Sequence, residues 1–210
     1  MKERPILFSG AMVRAILDGR KSQTRRVIKD FAIKRLSNRH EFATSGPHQL
    51  SMKETPGYAY VELDSGALVG LPCPYGQPGD RLWVRETFRV IDGQSQDAIA
   101  IDYRSDPEEK WCRIGDFLGD GKKWTPSIHM RREYSRIMLE ITNVRVERLQ
   151  DISNKDCIEE GVADLSIPLR PGLSMWRSCY ADLWDSINAA RGYGWDVNPW
   201  VWVIEFRMVS

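Results

Sequence analysis

Lys21 and Thr24 are the first residues of the chain whose types and spacing suggest chemistry. Between positions 20 and 29 there are five basic residues and no acidic one, although the whole chain has a formal net charge of only +1. The fields of the neighbouring arginines lower the pKa of Lys21, so that part of it can be neutral near pH 7 and act as a base. The cluster is therefore either a site for an anionic partner such as nucleic acid or a solvated basic face.

Two adjacent glutamates, Glu159 and Glu160, form a second candidate group. Ser153 is a predicted helix N-cap with Asp156 at the third helical position, and the helix is expected to close at Gly161. Both glutamates then lie in the last turn, where the helix dipole disfavours carboxylates by roughly 0.3–1 kcal/mol each. They are held there by chemistry or an ion pair, or they are simply two exposed glutamates.

A third carboxylate, Glu86, is predicted to lie among apolar side chains. Residues 81–88 alternate as a strand, with Leu82, Val84 and Glu86 on one face and Trp83 and Arg85 on the other. A buried carboxylate needs a partner, so Glu86 either belongs to an ion pair that holds the core or lies in a cavity.

The elements that must position Lys21 and Thr24 are a strand at 5–8 and a helix that begins after Ser9 and ends at Gly19. Residues three apart point to opposite faces of a straight strand. The two side chains can therefore converge only if the segment turns or bulges.

Strands and helices are predicted along the rest of the chain. The predicted segments are a hairpin of 58–63 and 67–71 around the turn at 64–66, strands at 97–103, 136–149 and 200–206, and a helix at 174–190. The alternation in 136–149 changes phase once, at Thr142 and Asn143, which indicates a bulge or bend. The helix carries an aromatic row of Trp176, Tyr180 and Trp184, which we interpret as core rather than a stacking platform.

Composition limits the class of protein. The 210 residues are 42% hydrophobic, which suffices for one compact unit. No apolar run approaches the ~20 residues of a membrane span and no signal sequence is evident, so we expect a cytoplasmic protein. The four cysteines are scattered, with no Cys-x-x-Cys spacing, and are expected to be reduced and mostly buried.

Together these features resemble the ASCH domain, a member of the PUA-like barrel superfamily found in RNA-associated proteins. The resemblance rests on four segments in order: Gly19-x-Lys21-x-x-Thr24-x-Arg26, Gly79-Asp80-Arg81-Leu82-Trp83-Val84, the stapled helix ending in Glu159-Glu160-Gly161, and Val203-Ile204-Glu205-Phe206. It implies an α+β fold, with a curved PUA-like β-barrel and flanking helices in a single domain over 1–210. Two insertions are expected, at about 30–75 and 104–130. The chain looks most similar to the longer ASCH proteins of enterobacterial genomes and prophages. Members of that group have been labelled as phage morphogenesis proteins, although no residue here suggests a role in phage assembly.

The resemblance also implies an activity. A small bacterial ASCH enzyme is a metal-independent amidohydrolase that converts N4-acetylcytidine to cytidine and acetate with a lysine, a threonine and a glutamate. The resemblance places its lysine and threonine on Lys21 and Thr24 by position in the Gly-x-Lys motif, and its glutamate on Glu160 by alignment of the segments that follow the bulged strand. No cofactor is expected. Six further residues are predicted to bind a modified nucleoside or RNA: Arg20, Arg25, Arg26, Trp83, Arg85 and Glu86.

Two other functions stay open at this point. The basic run and Trp83 would also suit a PUA-like module that binds RNA or a modified base by phosphate contact and stacking. Ribonuclease activity is a further alternative implied by ASCH relatives. The two predicted insertions could narrow or cover a site, and the sequence does not give the oligomeric state.

Overall fold

The computed structural model describes residues 1–29, 50–51, 57–62, 68–92, 99–105, 123–162 and 168–209. Most of the two predicted insertions lies outside these ranges, as do the predicted turn at 64–66 and Cys112. The helices and strands, in chain order, are β1 (Glu3–Leu7), α1 (Gly10–Leu17), β2 (Gln23–Val27), β3 (Leu50–Ser51), β4 (Tyr58–Glu62), β5 (Leu68–Pro72), β6 (Arg81–Arg85), β7 (Phe88–Asp92), β8 (Ile99–Tyr103), β9 (Met138–Arg148), α2 (Asn154–Glu159), α3 (Met175–Asn188) and β10 (Trp200–Met208).

The main sheet has five strands in the order β1-β6-β9-β10-β2. β1 and β6 pair in parallel, and the other neighbours pair antiparallel. The mixed α+β content is confirmed, and the last predicted strand, β10, lies inside the sheet between β9 and β2. Within the described residues the sheet is open, with edges at β1 and β2, so the predicted barrel is seen here only as this five-stranded sheet. β4 and β5 form the predicted hairpin, and β7 pairs with β8.

The sheet separates two hydrophobic cores, and β10 contributes to both. Trp202 and Ile204 pack on one side with residues of β1, α1 and β6. Val201 and Val203 pack on the other side with residues of α2 and α3. Because successive side chains of a strand point to opposite faces, one apolar strand can serve two layers. This explains why the last strand has no polar face in its first half.

The predicted irregularity in β9 is a bulge at Thr142. Asn143 pairs with Glu205 of β10, whereas Ile141 pairs with the next residue, Phe206, so Thr142 is the extra residue. The phase change in the sequence is therefore confirmed. On one side of the bulge β9 pairs with β6, and on the other side Arg145 contacts Asp156 of α2 at 3.1 Å.

Two predictions from composition can be compared with the described residues. Among the described residues, Cys73, Cys157 and Cys179 are buried and form no disulfide, as expected. Within the described ranges, none of the helices combines the length and the apolar character that crossing a membrane requires.

Candidate active site

Lys21 is placed by a tight exit from α1. Ser9 caps the helix by accepting a hydrogen bond from Met12, and Gly19 adopts a left-handed conformation with φ of 72°. The backbone N–H of Lys21 then donates to the carbonyl of Ala15 at 2.9 Å, so the chain folds back over the helix before β2 begins. Lys21 thus precedes the strand that carries Thr24, and the predicted turn brings the two residues to one region.

Glu160 is placed by the capping box that the sequence predicts for α2. Ser153 accepts a hydrogen bond from the Asp156 backbone, and the Asp156 side chain accepts one from the Ser153 backbone. Glu160 is the C-cap residue and Gly161 follows with φ of 86°. Lys21 and Glu160 form an isolated antiparallel bridge, so the end of α2 lies beside the start of β2.

The Lys21 ammonium donates all of its three hydrogens within this site. Its Nζ lies 2.8 Å from each of three acceptors: the Gln23 carbonyl, the Glu160 carbonyl and Oε2 of Glu160. The side chain is fully buried. Burial lowers the pKa of Lys21, Glu160 opposes this effect, and Arg26 and Arg25 lower the pKa further. The lowered pKa agrees in direction with the sequence prediction, but the larger cause is burial rather than the arginines.

Two buried cations offset the unfavourable effect of the helix dipole on the Glu160 carboxylate. Besides Lys21, the Arg25 guanidinium lies 3.3 Å from Oε1 of Glu160. Glu159, by contrast, makes a 3.5 Å contact with the exposed Lys155 on the same helix. The two adjacent glutamates therefore differ. Glu160 is 4% exposed and paired inside the protein, whereas Glu159 lies at the surface.

Arg25 links three carboxylates beneath the site. Its guanidinium lies 3.0 Å from Glu147, 3.5 Å from Asp156 and 3.3 Å from Glu160, and its side chain is fully buried. Although burial lowers the pKa of Arg25, these carboxylates raise it above the ordinary value. Arg25 is therefore a permanent cation that holds the end of α2 against β2.

Gly161 allows α2 to approach Lys21 closely. A Cβ atom at this position would lie 2.9 Å from Cβ of Ala15 and 3.2 Å from Cβ of Lys21. Neither atom is the flexible end of a long side chain, so the backbone would have to move. The glycine is thus required by its positive φ and by the contact.

We expect Gly161→Ala to lower the free energy of unfolding by more than Gly172→Ala. Gly172 also has a positive φ, of 77°, but no atom lies within 4 Å of the position of an added Cβ. Both variants carry the left-handed strain of roughly 1–2 kcal/mol, and only Gly161→Ala adds overpacking of about 1–3 kcal/mol. Urea unfolding of the two variants measures the difference. Equal losses would contradict the close approach.

A cavity of about 290 Å³ lies along β2 and is bounded on the other side by α3. Thr24, Arg25 and Glu160 line it from one side, and Tyr180 and Trp184 line it from the helix. Lys21 does not line it; its side chain is fully buried, and its amine contacts Glu160 at 2.8 Å. The volume is at the lower end of the range for small-molecule sites, which favours a ligand of about the size of a nucleobase or nucleoside.

Tyr180 is a candidate site residue that sequence reasoning assigned to the core. The aromatic row does pack in the core, where Tyr180 contacts Trp195 and Trp184, but it also borders the cavity. Burial raises the pKa of Tyr180 well above its ordinary value, and the Glu160 carboxylate adds to the effect. Its phenol therefore stays protonated and can donate a hydrogen bond. The helical spacing predicted which face of α3 carries Tyr180, but the sequence did not indicate that a cavity lies beside that face.

The other residues of the basic run have different positions. Arg26 lines the same cavity, where its guanidinium donates to the Leu7 carbonyl at 2.6 Å and lies 5.3 Å from the centre of the Phe8 ring. Arg20 pairs with Asp18 at 2.8 Å and is largely exposed, and it borders a different cavity. The structure thus brings Arg25 and Arg26, but not Arg20, to the cavity with Thr24.

Trp83, Arg85 and Glu86 lie elsewhere in the sheet. The strand β6 is three strand spacings from β2, or about 14 Å, and none of the three residues lines the cavity. Arg85 stacks over Trp83 at 4.7 Å. Glu86 pairs with Arg136 at 3.0 Å and accepts a hydrogen bond from Ser105, which corresponds to the structural alternative for this carboxylate.

Within the described residues, no group of three His, Cys, Asp or Glu side chains lies close enough together to hold a metal ion.

No family model matches the sequence, and no curated protein matches it. Among solved structures, the chain is similar to an ASCH domain from Lactobacillus crispatus JV V101, known from a high-resolution crystal structure. The match has a TM-score of 0.43 and 11% sequence identity, and it covers 99% of this chain and 80% of that chain. The chemistry of this chain is therefore argued from its own residues.

Proposed function

We propose that this protein is an amidohydrolase that releases acetate from an acetylated cytidine nucleoside. The observation that carries the proposal is that Thr24 and Glu160 line one cavity, and that the buried Lys21 amine lies 2.8 Å from Glu160 and 2.8 Å from the carbonyl of Gln23, the residue before Thr24. A hydroxyl, a carboxylate and a buried amine are the groups that amide hydrolysis needs.

The first step uses the Lys21–Glu160 pair to activate Thr24. At 2.8 Å a proton can pass from the ammonium to Oε2, which leaves a neutral amine and a neutral carboxylic acid. The neutral amine takes the proton of the Thr24 hydroxyl, or of a water, as the oxygen attacks the acetyl carbonyl. The lowered pKa of Lys21, caused mainly by burial, favours this transfer.

The second step expels the cytosine amino group. The protonated Glu160 gives its proton to the exocyclic nitrogen as the carbon–nitrogen bond breaks, which leaves an acetyl ester on Thr24. The oxyanion that forms between the steps needs hydrogen-bond donors. Arg26 and the protonated phenol of Tyr180 both line the cavity and can supply them. The pair is then ionised again. Glu160 takes a proton from the water that attacks the ester and passes it to the Thr24 oxygen as the ester bond breaks, and the acetic acid that forms leaves as acetate after losing its proton to solvent.

The test of the function is acetate release from N4-acetylcytidine by the purified full chain. Cytidine and acetate should appear in equal amounts, and rapid acid quenching followed by mass spectrometry should find an acetyl group on the peptide that contains Thr24. Absence of turnover with N4-acetylcytidine and its 5′-monophosphate would overturn the proposal.

We expect Thr24→Val to reduce acetate release by a factor on the order of 10³ or more. Valine has nearly the same shape and suits a strand, so the fold should be retained, but the attacking hydroxyl is lost. Thr24→Ser is the matched control, because it keeps a hydroxyl and should retain part of the activity. If Thr24→Val were as active as the wild type, water would be the direct nucleophile and the ester intermediate would be excluded.

One observation favours a second function, the binding of RNA. Four cations line the cavity, namely Arg25, Arg26, Lys29 and Arg191, against one carboxylate, Glu160, which is already paired. Lys29 and Arg191 are exposed. An excess of positive charge around a cavity attracts phosphates in a salt-dependent manner.

Binding of single-stranded RNA at several salt concentrations separates the two functions. Retained affinity that falls steeply with salt, with no turnover of an acetylated nucleoside, would favour a binding module. Shortening of the RNA during the same incubation, with and without added metal ions, would favour the ribonuclease alternative.

A further inference from the structure

The edge strand β2 has hydrogen-bonding groups that the sheet does not use. At one end of the strand, the Ile28 backbone N–H donates to the Trp200 carbonyl at 2.9 Å, and at the other end the Phe206 N–H donates to the Ser22 carbonyl at 2.8 Å. In an antiparallel pair, hydrogen-bonded and non-hydrogen-bonded positions alternate. The positions bonded to β10 are therefore the even-numbered ones from 22 to 28.

The odd-numbered residues of β2 consequently direct their backbone groups away from the sheet. At Gln23 this is visible directly, because its carbonyl accepts the hydrogen bond from Lys21. Among the described residues, the backbone N–H and carbonyl of Arg25 and of Val27 make no hydrogen bond. These groups point off the free edge of the sheet.

The cavity lies along this same free edge. Arg25 and Val27 both line it, together with Thr24 and Glu160. Residues from both faces of a strand can border one cavity only if the cavity lies at the edge of that strand, because alternate side chains point to opposite faces. The free backbone groups and the candidate catalytic groups therefore face one space.

We propose that the free edge of β2 binds the pairing edge of a cytosine ring, as a neighbouring strand would bind it. The Arg25 carbonyl accepts a hydrogen bond from the exocyclic N4–H, and the Val27 N–H donates to the ring carbonyl O2. Because Arg25 directly follows Thr24, this orientation places the N4 substituent at Thr24 and Glu160. The inference rests on the proposed function for the identity of the base, and it adds the groups that select it.

The proposed contacts distinguish cytosine from uracil. Cytosine presents an N4 amino donor where uracil presents an O4 acceptor. With uracil, two carbonyl oxygens would face each other at Arg25, and a buried acceptor would be left without a donor. A methyl group at N3 would lie between the two contacts and push the ring off the edge.

Binding of the reaction product tests the inference without requiring turnover. By calorimetry on the full chain, cytidine is expected to bind at least about tenfold more tightly than uridine. 3-Methylcytidine should bind more weakly than cytidine by at least the same factor, whereas 5-methylcytidine, whose pairing edge is intact, should bind like cytidine. Equal binding of cytidine and uridine, or no binding of cytidine, would overturn the inference.

The variant Val27→Pro tests the proposed hydrogen-bond donor, the Val27 backbone N–H, separately from the other contacts. Val27→Pro deletes an N–H that makes no ladder bond, and proline is tolerated on an edge strand in that orientation. Val27→Ala is the matched control, because it shortens the side chain but keeps the N–H. We expect Val27→Pro to weaken cytidine binding about tenfold, and Val27→Ala to weaken it by less.

The outcomes of these experiments separate the inference from the proposed function. If the wild type hydrolyses N4-acetylcytidine while a folded Val27→Pro variant binds cytidine as tightly as Val27→Ala, the edge contact is wrong and the function stands. If the wild type prefers cytidine to uridine but releases no acetate, the function is wrong and the edge contact stands. If Val27→Pro fails to fold, the nucleoside comparison on the wild type still decides.

Discussion

Glu160→Gln is expected to reduce acetate release from N4-acetylcytidine by a factor of about 10²–10⁴. Glutamine keeps the shape of the side chain and an acceptor for the Lys21 ammonium, but it can neither receive the lysine proton nor pass it to the leaving amino group. The change should appear in kcat, because the proton transfers occur in the chemical steps. Steady-state kinetics of the variant measures it.

Glu159→Gln is the control for this substitution. The two residues are adjacent at the end of the same helix, but the Glu159 side chain pairs with the exposed Lys155, whereas Glu160 is buried against Lys21 and Arg25. Glu159→Gln should therefore keep nearly all of the activity. A Glu160→Gln variant as active as the wild type would show that the buried carboxylate has no part in the chemistry.

The second large effect is expected for Lys21→Met, in both activity and stability. Methionine fills a similar volume but removes one of the two cations that pair with the Glu160 carboxylate in the described part of the chain, leaving Arg25. Breaking a buried ion pair by removing one partner costs about 3–5 kcal/mol. The same change removes the base for Thr24, so acetate release should also fall by about 10²–10⁴. Urea unfolding and initial rates, measured on the same preparation, report the two effects separately.

Arg20→Met is the control for Lys21→Met, because it removes a cation from the same run but one that is exposed and paired only with Asp18. It should change the free energy of unfolding by less than about 1 kcal/mol. The double variant Lys21→Met/Glu160→Gln should be no less active than the worse of the two single variants, since groups that act as a unit lose their effect together. Additive losses in activity would contradict a shared proton transfer.

Local patterns in the sequence predicted much of the framework of this site. The capping box at Ser153 and Asp156, the end of α2 at Gly161 and the bulge at Thr142 are each encoded within a few residues, and each is found in the structure. The electrostatic cost of two glutamates at a helix end left a buried ion pair and a surface position as alternatives, and Glu160 corresponds to the first and Glu159 to the second. Such features can be predicted from the sequence because the groups that interact are only a few residues apart in the chain.

The partners themselves could not be predicted from local patterns. Which glutamate is buried depends on the contact between Lys21 and Glu160, 139 residues apart in the chain, and the convergence of three carboxylates on Arg25 depends on the pairing of β2 with β10. Trp83 and Arg85 were assigned to binding because of their residue types. Their distance from the cavity follows from strand order, which the sequence pattern does not contain.

The shortness of α2 has a consequence for the stability of the site. A helix of six residues has too few turns to persist by itself, so its form depends on what it docks against. Asp156 serves at once as its cap and as a partner of Arg25, and Glu160 secures its other end. Undocking of this single helix would remove the carboxylate from the cavity while the five-stranded sheet stayed folded. The site can thus open as a local unit, with a free energy smaller than that of global unfolding.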